Sequence, residues 1–515
     1  MDKIKSIGVE ILFTISFIFF SFYSILPKDY AVAGIVCLTI IVAGLCGFWF
    51  IHNTKSELFA YIKEHKTLDL FMSIYAIYYM YLLYQQKSAE AAGDFFLSLP
   101  VFHVGYYMVG GLAVWFLGLY IINKCINWIK ELFVQLTETD KKEYVLFSCV
   151  FTVILIVFYV YTSGWYLQYD KVYSMDSGYC YNNIVSSSTY YDIRHPLLSA
   201  VTFPVLAFVR LIENIIVPVH MIKIFEAVAF GIVNIQLLLL TGLLLKVLSG
   251  HNYAFRMYVL SFSTMIYMFM FEKYAICVFF LVLYLYSICK KERVRATESI
   301  VLAVGTMPTS AFLGVVELLE KNTIKNKIIQ IFKIALSFLA MLICFGRAHV
   351  LWYGIPELIA TKQKFGDAIL LLPNRIYSVL DMIGGAFIAQ SSELTDKYWW
   401  ASVGMKVSVA GLILLIIICL GIYEGWKDKY VKICALWLVF AFVLFVLLQW
   451  SPHESPLFSI YFSWALILLA LRGMDGLIEE CRWKEKYVYG GVLVVMTIIN
   501  AMAILDINRF LKFFY

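Results

Sequence analysis

The sequence predicts an all-α polytopic membrane protein with about 13–15 transmembrane helices. Three observations carry this expectation. Of 515 residues, 62% are hydrophobic and 15% charged, with mean hydropathy +0.81; a soluble domain averages about 45–50% apolar and about 25% charged. The apolar residues fall in runs of ~18 or more with almost no charge, long enough to cross a bilayer as helix. The runs are continuous rather than alternating, which excludes a β-barrel.

Lys3 and Lys5 precede an apolar run, Ile7 to Ile25, followed by Leu26-Pro27-Lys28-Asp29 and no small-residue cleavage site. It reads as a permanent first span, 8–26. Spans follow near 31–51, 68–85, 102–122 and 144–163. Residues 197–213, interrupted by Arg210 and Glu213, read as a helix lying at the interface. Further spans fall near 222–247, 255–271 and 274–289. Gly305-Thr306-Met307-Pro308-Thr309 divides 298–319 into short halves, because proline removes a helix donor. Later spans lie near 331–349, 402–422, 431–449, 457–472 and 487–505. The chain thus divides into four N-terminal helices (1–143), a core (144–345) with an outward loop (164–196), a second outward loop region (346–400) and C-terminal helices (401–515).

Lysine and arginine orient the chain. With the N-terminus in the cytoplasm, inner loops hold Lys55, Lys63 and Lys66, then Lys124 to Lys142, Lys290 to Arg295, Lys321 to Lys333, Lys427 to Lys432, and Arg472 to Lys486. This is the positive-inside bias. It requires that 298–319 return to its starting side and that 197–213 not cross. The net charge of +6 belongs to these loops and indicates no nucleic-acid partner. The eleven cysteines include no CxxC pair, so metal and redox motifs are absent. The Lys- and Ile-rich, low-charge style points to a bacterial plasma membrane.

The polar stretch Ser174 to Leu198 interrupts the apolar chain and falls on the extracytoplasmic side. It holds Asp176, Asp192, Arg194, His195 and Pro196. A charged cluster at a membrane boundary costs free energy unless it is solvated or used. The same side receives Arg347, His349, Arg375 and Asp381 from the second loop, the Glu272-Lys273 turn, and His453-Glu454. Most have a plain structural alternative: Asp176 can be a solvated loop acid or a helix cap. Asp192 can cap the helix that Pro196 begins. Glu272 and Lys273 can be a turn with snorkelling side chains. Arg347 and His349 can anchor a span end, and His453 and Glu454 immediately precede a span.

An acid, about twenty residues, then His-Pro entering a helix resembles the first extracytoplasmic loop of GT-C fold glycosyltransferases, especially protein O-mannosyltransferases and their bacterial relatives. Asp176 stands where that family has the first acid of a pair, and His195-Pro196 matches its His-Pro; Ser177 replaces the second acid and Leu197 the second proline. Ser261 to Lys291 resembles a helical hairpin of the same families that carries an acid at its outer tip, here Glu272. The resemblance covers roughly residues 144–320.

The resemblance implies transfer of a sugar from a polyprenyl-phosphate donor to a cell-surface glycan, lipid or protein acceptor, with membrane lipids as surroundings. Asp176, Glu272 and His195 are the expected catalytic residues. A carboxylate can take the proton of the acceptor hydroxyl. Arg194, Lys273, Arg347, His349 and Arg375 are the expected phosphate-binding residues, since cationic donors suit a departing phosphate. Asp192, His453 and Glu454 complete the candidates. No metal ligand is assigned; a divalent cation is the one cofactor left open. Polysaccharide polymerase or ligase, and transporter or flippase of lipid-linked glycans, are the alternatives.

Overall fold

In the computed structural model, residues 125–161, 180, 195–198, scattered positions between 201 and 216, 217–319, 323–344, 372–389, 392–394, 399–401, 408–448 and 455–513 are described. The four spans predicted within 1–122 lie outside them. Among the described residues five helices are long and apolar enough to cross a membrane: Glu138–Tyr159, Ile222–Ser249, Lys429–Leu447, Phe458–Glu480 and Glu485–Arg509. The protein is a helical membrane protein.

The chain divides into two compact units, one of residues 1–131, 187–215 and 324–358, the other of 132–186, 216–323 and 359–515. The second carries most of the described structure. It begins with α1 (Glu138–Tyr161), which opens on a reciprocal cap: Thr137 N–H donates to Asp140 Oδ2 (3.1 Å), and Asp140 N–H to Thr137 Oγ1 (3.3 Å). α2 (Ile222–Ser249) ends at Gly250, whose φ of 70° a side chain would resist and whose N–H closes on Lys246 O (2.8 Å). α1 and α2 are joined midway by Tyr144, Gln236 and Ser148.

The predicted span 255–271 is two helices, α3 (Ala254–Val259) and α4 (Phe262–Phe269). Ser261 is extended between them (ψ 147°), and its hydroxyl donates to Tyr258 O (2.7 Å). Serine and threonine side chains that bond nearby backbone compete with the helix ladder, and Ser261, Ser263 and Thr264 crowd this point. α5 (Tyr274–Cys289) is buried from Tyr274 to Ile288. It is apolar all round, as a helix enclosed by neighbours must be.

α6 (Arg293–Thr306) stops before Pro308, as predicted. A 3-10 turn (Pro308–Val315) and α7 (Val316–Leu319) lead back, and Arg293 Nη1 meets Glu317 Oε2 at 2.7 Å. The segment therefore returns to its starting end, which the charge bias requires. At its far point Ser310 Oγ lies 2.7 Å from Tyr461 Oη and 3.2 Å from Cys277 Sγ. The first unit contributes α8 (Ile324–Cys344).

Within the stretch read as the second outward loop, residues Leu372–Phe387 form a helix, α9, and Ser392–Leu394 and Trp399–Ala401 (β1, β2) form a short antiparallel ladder. The sequence reading placed neither there. α9 starts at Leu372-Pro373, where proline's fixed φ suits a first turn. Its second half is apolar with a Gly-Gly pair, and residues 380–387 are buried. α10 (Val409–Gly425) is capped by Ser408, which accepts from Gly411 N–H (3.0 Å). α11 (Lys429–Phe442) widens into a π turn (Val443–Leu447), followed by α12 (Ser455–Glu480) and α13 (Glu485–Phe513). α10 and α12 cross on Gly421 and Gly473: a Cβ at either would lie 1.9 Å from a carbonyl oxygen of the other helix.

One end of this unit gathers its ion pairs. Lys246 meets Asp140, Arg256 meets Glu143, and His251 Nε2 lies 3.0 Å from Asp475 Oδ1. Lys429 Nζ donates to Ile288 O (2.9 Å). The Glu272-Lys273 turn, between α4 and α5, lies at the opposite end of those helices.

Candidate functional site

Met270 to Glu272 links α4 to α5 outside the helices, and the Lys273 carbonyl caps α5 by accepting from Cys277 N–H (3.3 Å). Such a turn leaves carbonyl groups to be satisfied by side chains. Two apolar helices supply the donors. Tyr159 Oη of α1 donates to Phe269 O (2.5 Å). Asn234 Nδ2 of α2 donates to Met270 O (3.1 Å) and Glu272 O (3.3 Å). Phe271 packs edge-on against Phe230 (5.3 Å). The turn is thereby fixed in backbone as well as in side chain.

Glu272 and Lys273 are each only 2% exposed. This corrects the snorkelling alternative: these charges are enclosed. Several kcal/mol per ion is the approximate penalty for burial, and it is offset only where opposite charge and hydrogen bonds meet. Glu272 Oε2 accepts from the Cys180 thiol (3.4 Å) and from Lys273 N–H (3.3 Å). Lys273 Nζ lies 3.9 Å from Cys180 Sγ and 5.6 Å from the centroid of the Tyr274 ring. Carboxylate, thiol and ammonium thus share one enclosed space. Cys180 comes from the polar stretch Ser174 to Leu198, and it is fully buried.

The other expected residues divide three ways. Asp176, Asp192, Arg194, Arg347, His349, His453 and Glu454 lie outside the described residues. His195 is buried (8% exposed), and its carbonyl accepts from Leu198 N–H (3.0 Å) in the turn that Pro196 begins. It belongs to the first unit, and Glu272 to the second. Arg375 is half-buried and donates to Val446 O (3.2 Å) in the π turn, so one of its donors serves backbone.

Asn234 and Tyr159 escaped the sequence reading as site residues, and Cys180, within the polar stretch, reads there as a small unpaired residue rather than a reactive thiol. Asn234 carried a usable signal, an amide alone in an apolar run, which membrane helices retain at a cost. Tyr159 carried none, being one aromatic among many.

Among the described residues no group of three or more His, Cys, Asp or Glu side chains is placed to hold a metal ion. Among the described residues at the Glu272 turn one carboxylate is present, with an ammonium near the same thiol.

Fold and site together define a class, that of helical membrane proteins with an acid, a base and a thiol enclosed at one end of the helices. No protein family, curated protein or solved structure matches the chain.

Proposed function

We propose that the protein is a membrane glycosyltransferase that moves a sugar from a polyprenyl-phosphate donor to a glycan, lipid or protein acceptor on the extracytoplasmic side. The observation that supports it best is the Glu272-Lys273 turn, held rigid by Asn234 and Tyr159 and touched by Cys180 from the acid-and-His-Pro stretch. A surface reaction needs charged groups collected at one end of the helices and held still.

In the proposed reaction the acceptor hydroxyl gives its proton to a carboxylate, Asp176 in this reading. The acceptor oxygen then bonds to the sugar's anomeric carbon as the bond from that carbon to the phosphate oxygen breaks. The electron pair leaves with the polyprenyl phosphate. Lys273 meets the phosphate charge. Glu272 holds Lys273 and Cys180 in place and faces the sugar. His195 orients a carboxylate.

The test is sugar transfer in membranes holding wild type, Asp176→Asn or Glu272→Gln at equal amounts, fed a panel of radiolabelled polyprenyl-phosphate sugars. One donor should be consumed by wild type, and consumption should fall at least about 100-fold in Asp176→Asn, the lower range of general-base contributions. Consumption unchanged by both substitutions removes these acids from the mechanism.

A second reading has its own observation. The broken segment α6–α7 turns back within the helices, and α9 also ends within them. Paired partial-depth elements are characteristic of transporters. Movement of a lipid-linked glycan across proteoliposomes, without sugar transfer, would favour this reading.

A further inference from the structure

α9 enters the helices and stops partway through them. At its start, Arg375 donates to Val446 O, beside the last turn of the span Lys429–Leu447. At its other end the carbonyl of Ala386 accepts from Ser263 Oγ (3.0 Å), and that of Phe387 from Asn500 Nδ2 (2.8 Å). Asn500 Oδ1 accepts from Ala389 N–H (3.0 Å), and the same amide donates to Leu260 O (2.9 Å), at the break between α3 and α4. Asn500 is fully buried and lies well inside the 25-residue span Glu485–Arg509. The chain returns alongside: the Cβ that Gly411 lacks would meet Leu380 O, so α10 begins against the middle of α9. α9 is therefore a re-entrant helix, allowed at such depth because protein side chains satisfy its open end.

Asp381 is its one carboxylate. It is 6% exposed, and its Oδ2 has no hydrogen-bond partner among the described residues. Nor, among the described residues, does a counter-charge face it from the packed neighbours. α4 and the π turn hold no Asp, Glu, His, Lys or Arg. α10 holds Glu424, which would touch a Cβ at Gly476, and α12 holds Arg472, Asp475, Glu479 and Glu480, all toward the opposite end. Arg472 is near Asp428 there (3.9 Å). On α13, Asp506 and Arg509 pair with each other (3.4 Å). On α9 itself, Arg375 is six positions away, about 9 Å along the axis.

We infer that Asp381 is a proton-binding site within the helices, independent of the Glu272 turn and of the transferase reading. A buried carboxyl without a counter-charge or donors favours its neutral form. As a neutral acid it fits the apolar half of α9; as an anion its Oδ2 has no partner among the described residues. Loss of the proton therefore works against the seated position of α9, whose deep end is held by Asn500 and Ser263.

Dicyclohexylcarbodiimide, which reacts with protonated carboxyls in apolar surroundings, tests this in the purified full chain, with infrared absorption of protonated carboxylic acids as a second readout. Asp381 should be modified at about pH 6, and modification should fall at least about tenfold by about pH 9, whereas an ordinary carboxyl is almost wholly ionised at both. The infrared band should lose intensity over the same range in wild type and less in Asp381→Asn. A band that titrates identically in wild type and Asp381→Asn, together with absence of modification at Asp381, overturns the inference. If the reagent is kept out by packing, the band alone decides.

Discussion

Asn234→Leu removes the two donors that hold Met270 O and Glu272 O, while keeping an apolar side chain of similar size in α2. Two estimates of the cost differ. If these were ordinary hydrogen bonds between membrane helices, at about 0.6 kcal/mol each, the total would be about 1.2 kcal/mol. That average reflects groups that find other partners. The carbonyls here sit in a buried turn outside the helical ladder, so each is left open, at about 1–3 kcal/mol. Partial relaxation of the turn places the expected loss at about 2–3 kcal/mol. The assay is reversible unfolding in mixed micelles titrated with a denaturing detergent, with tyrosine and tryptophan fluorescence as signal. Transfer activity measured alongside should fall with the turn's rigidity, and combining Asn234→Leu with Glu272→Gln should cost less activity than the two separate losses multiplied. A stability change below about 1 kcal/mol would show that the turn keeps its shape without Asn234, and would refute the account of how Glu272 is positioned.

Glu272→Leu removes the acceptor of the Cys180 thiol and of Lys273 N–H inside a buried turn and should destabilise by about 1–3 kcal/mol in the same titration. Gly421→Ala or Gly473→Ala drives a methyl into a backbone carbonyl and should cost about 1–3 kcal/mol, while alanine at Gly490, which meets nothing within 4 Å, should not. Tyr461→Phe leaves Ser310 and Thr309 without their shared partner, an expected loss of about 1 kcal/mol by thermal unfolding. Arg256→Gln, at a pair partly open to solvent, should change stability by less than about 1 kcal/mol, and that change should shrink in high salt.

The helical membrane class was legible because continuous apolar runs have few other solutions. Pro308 announced its break, and Arg293 and Glu317 meet where the segment comes back. α9 was not legible. At 16 residues it is too short for a span, and Arg375 and Asp381 made it read as loop; its burial depends on Asn500, 111 residues beyond Ala389. The split of 255–271 was hidden for a related reason, since Ser261 and Thr264 are common in membrane helices and only their local bonding reveals the break. At the site, Glu272 and Lys273 stood out as charges between apolar runs. Their enclosure did not, because Cys180 and Asn234 come from distant parts of the chain.

Asn500 also imposes an order on biogenesis. One amide serves Leu260, Phe387 and Ala389, and it is the last of the four to be synthesised. At about 5–20 residues per second, the deep end of α9 waits roughly 6–20 s after its own translation for the residue that closes it. During that interval its exposed carbonyls are a mark of an unfinished molecule, which a membrane chaperone or protease can read. A chain stopped before α13 would keep that mark permanently.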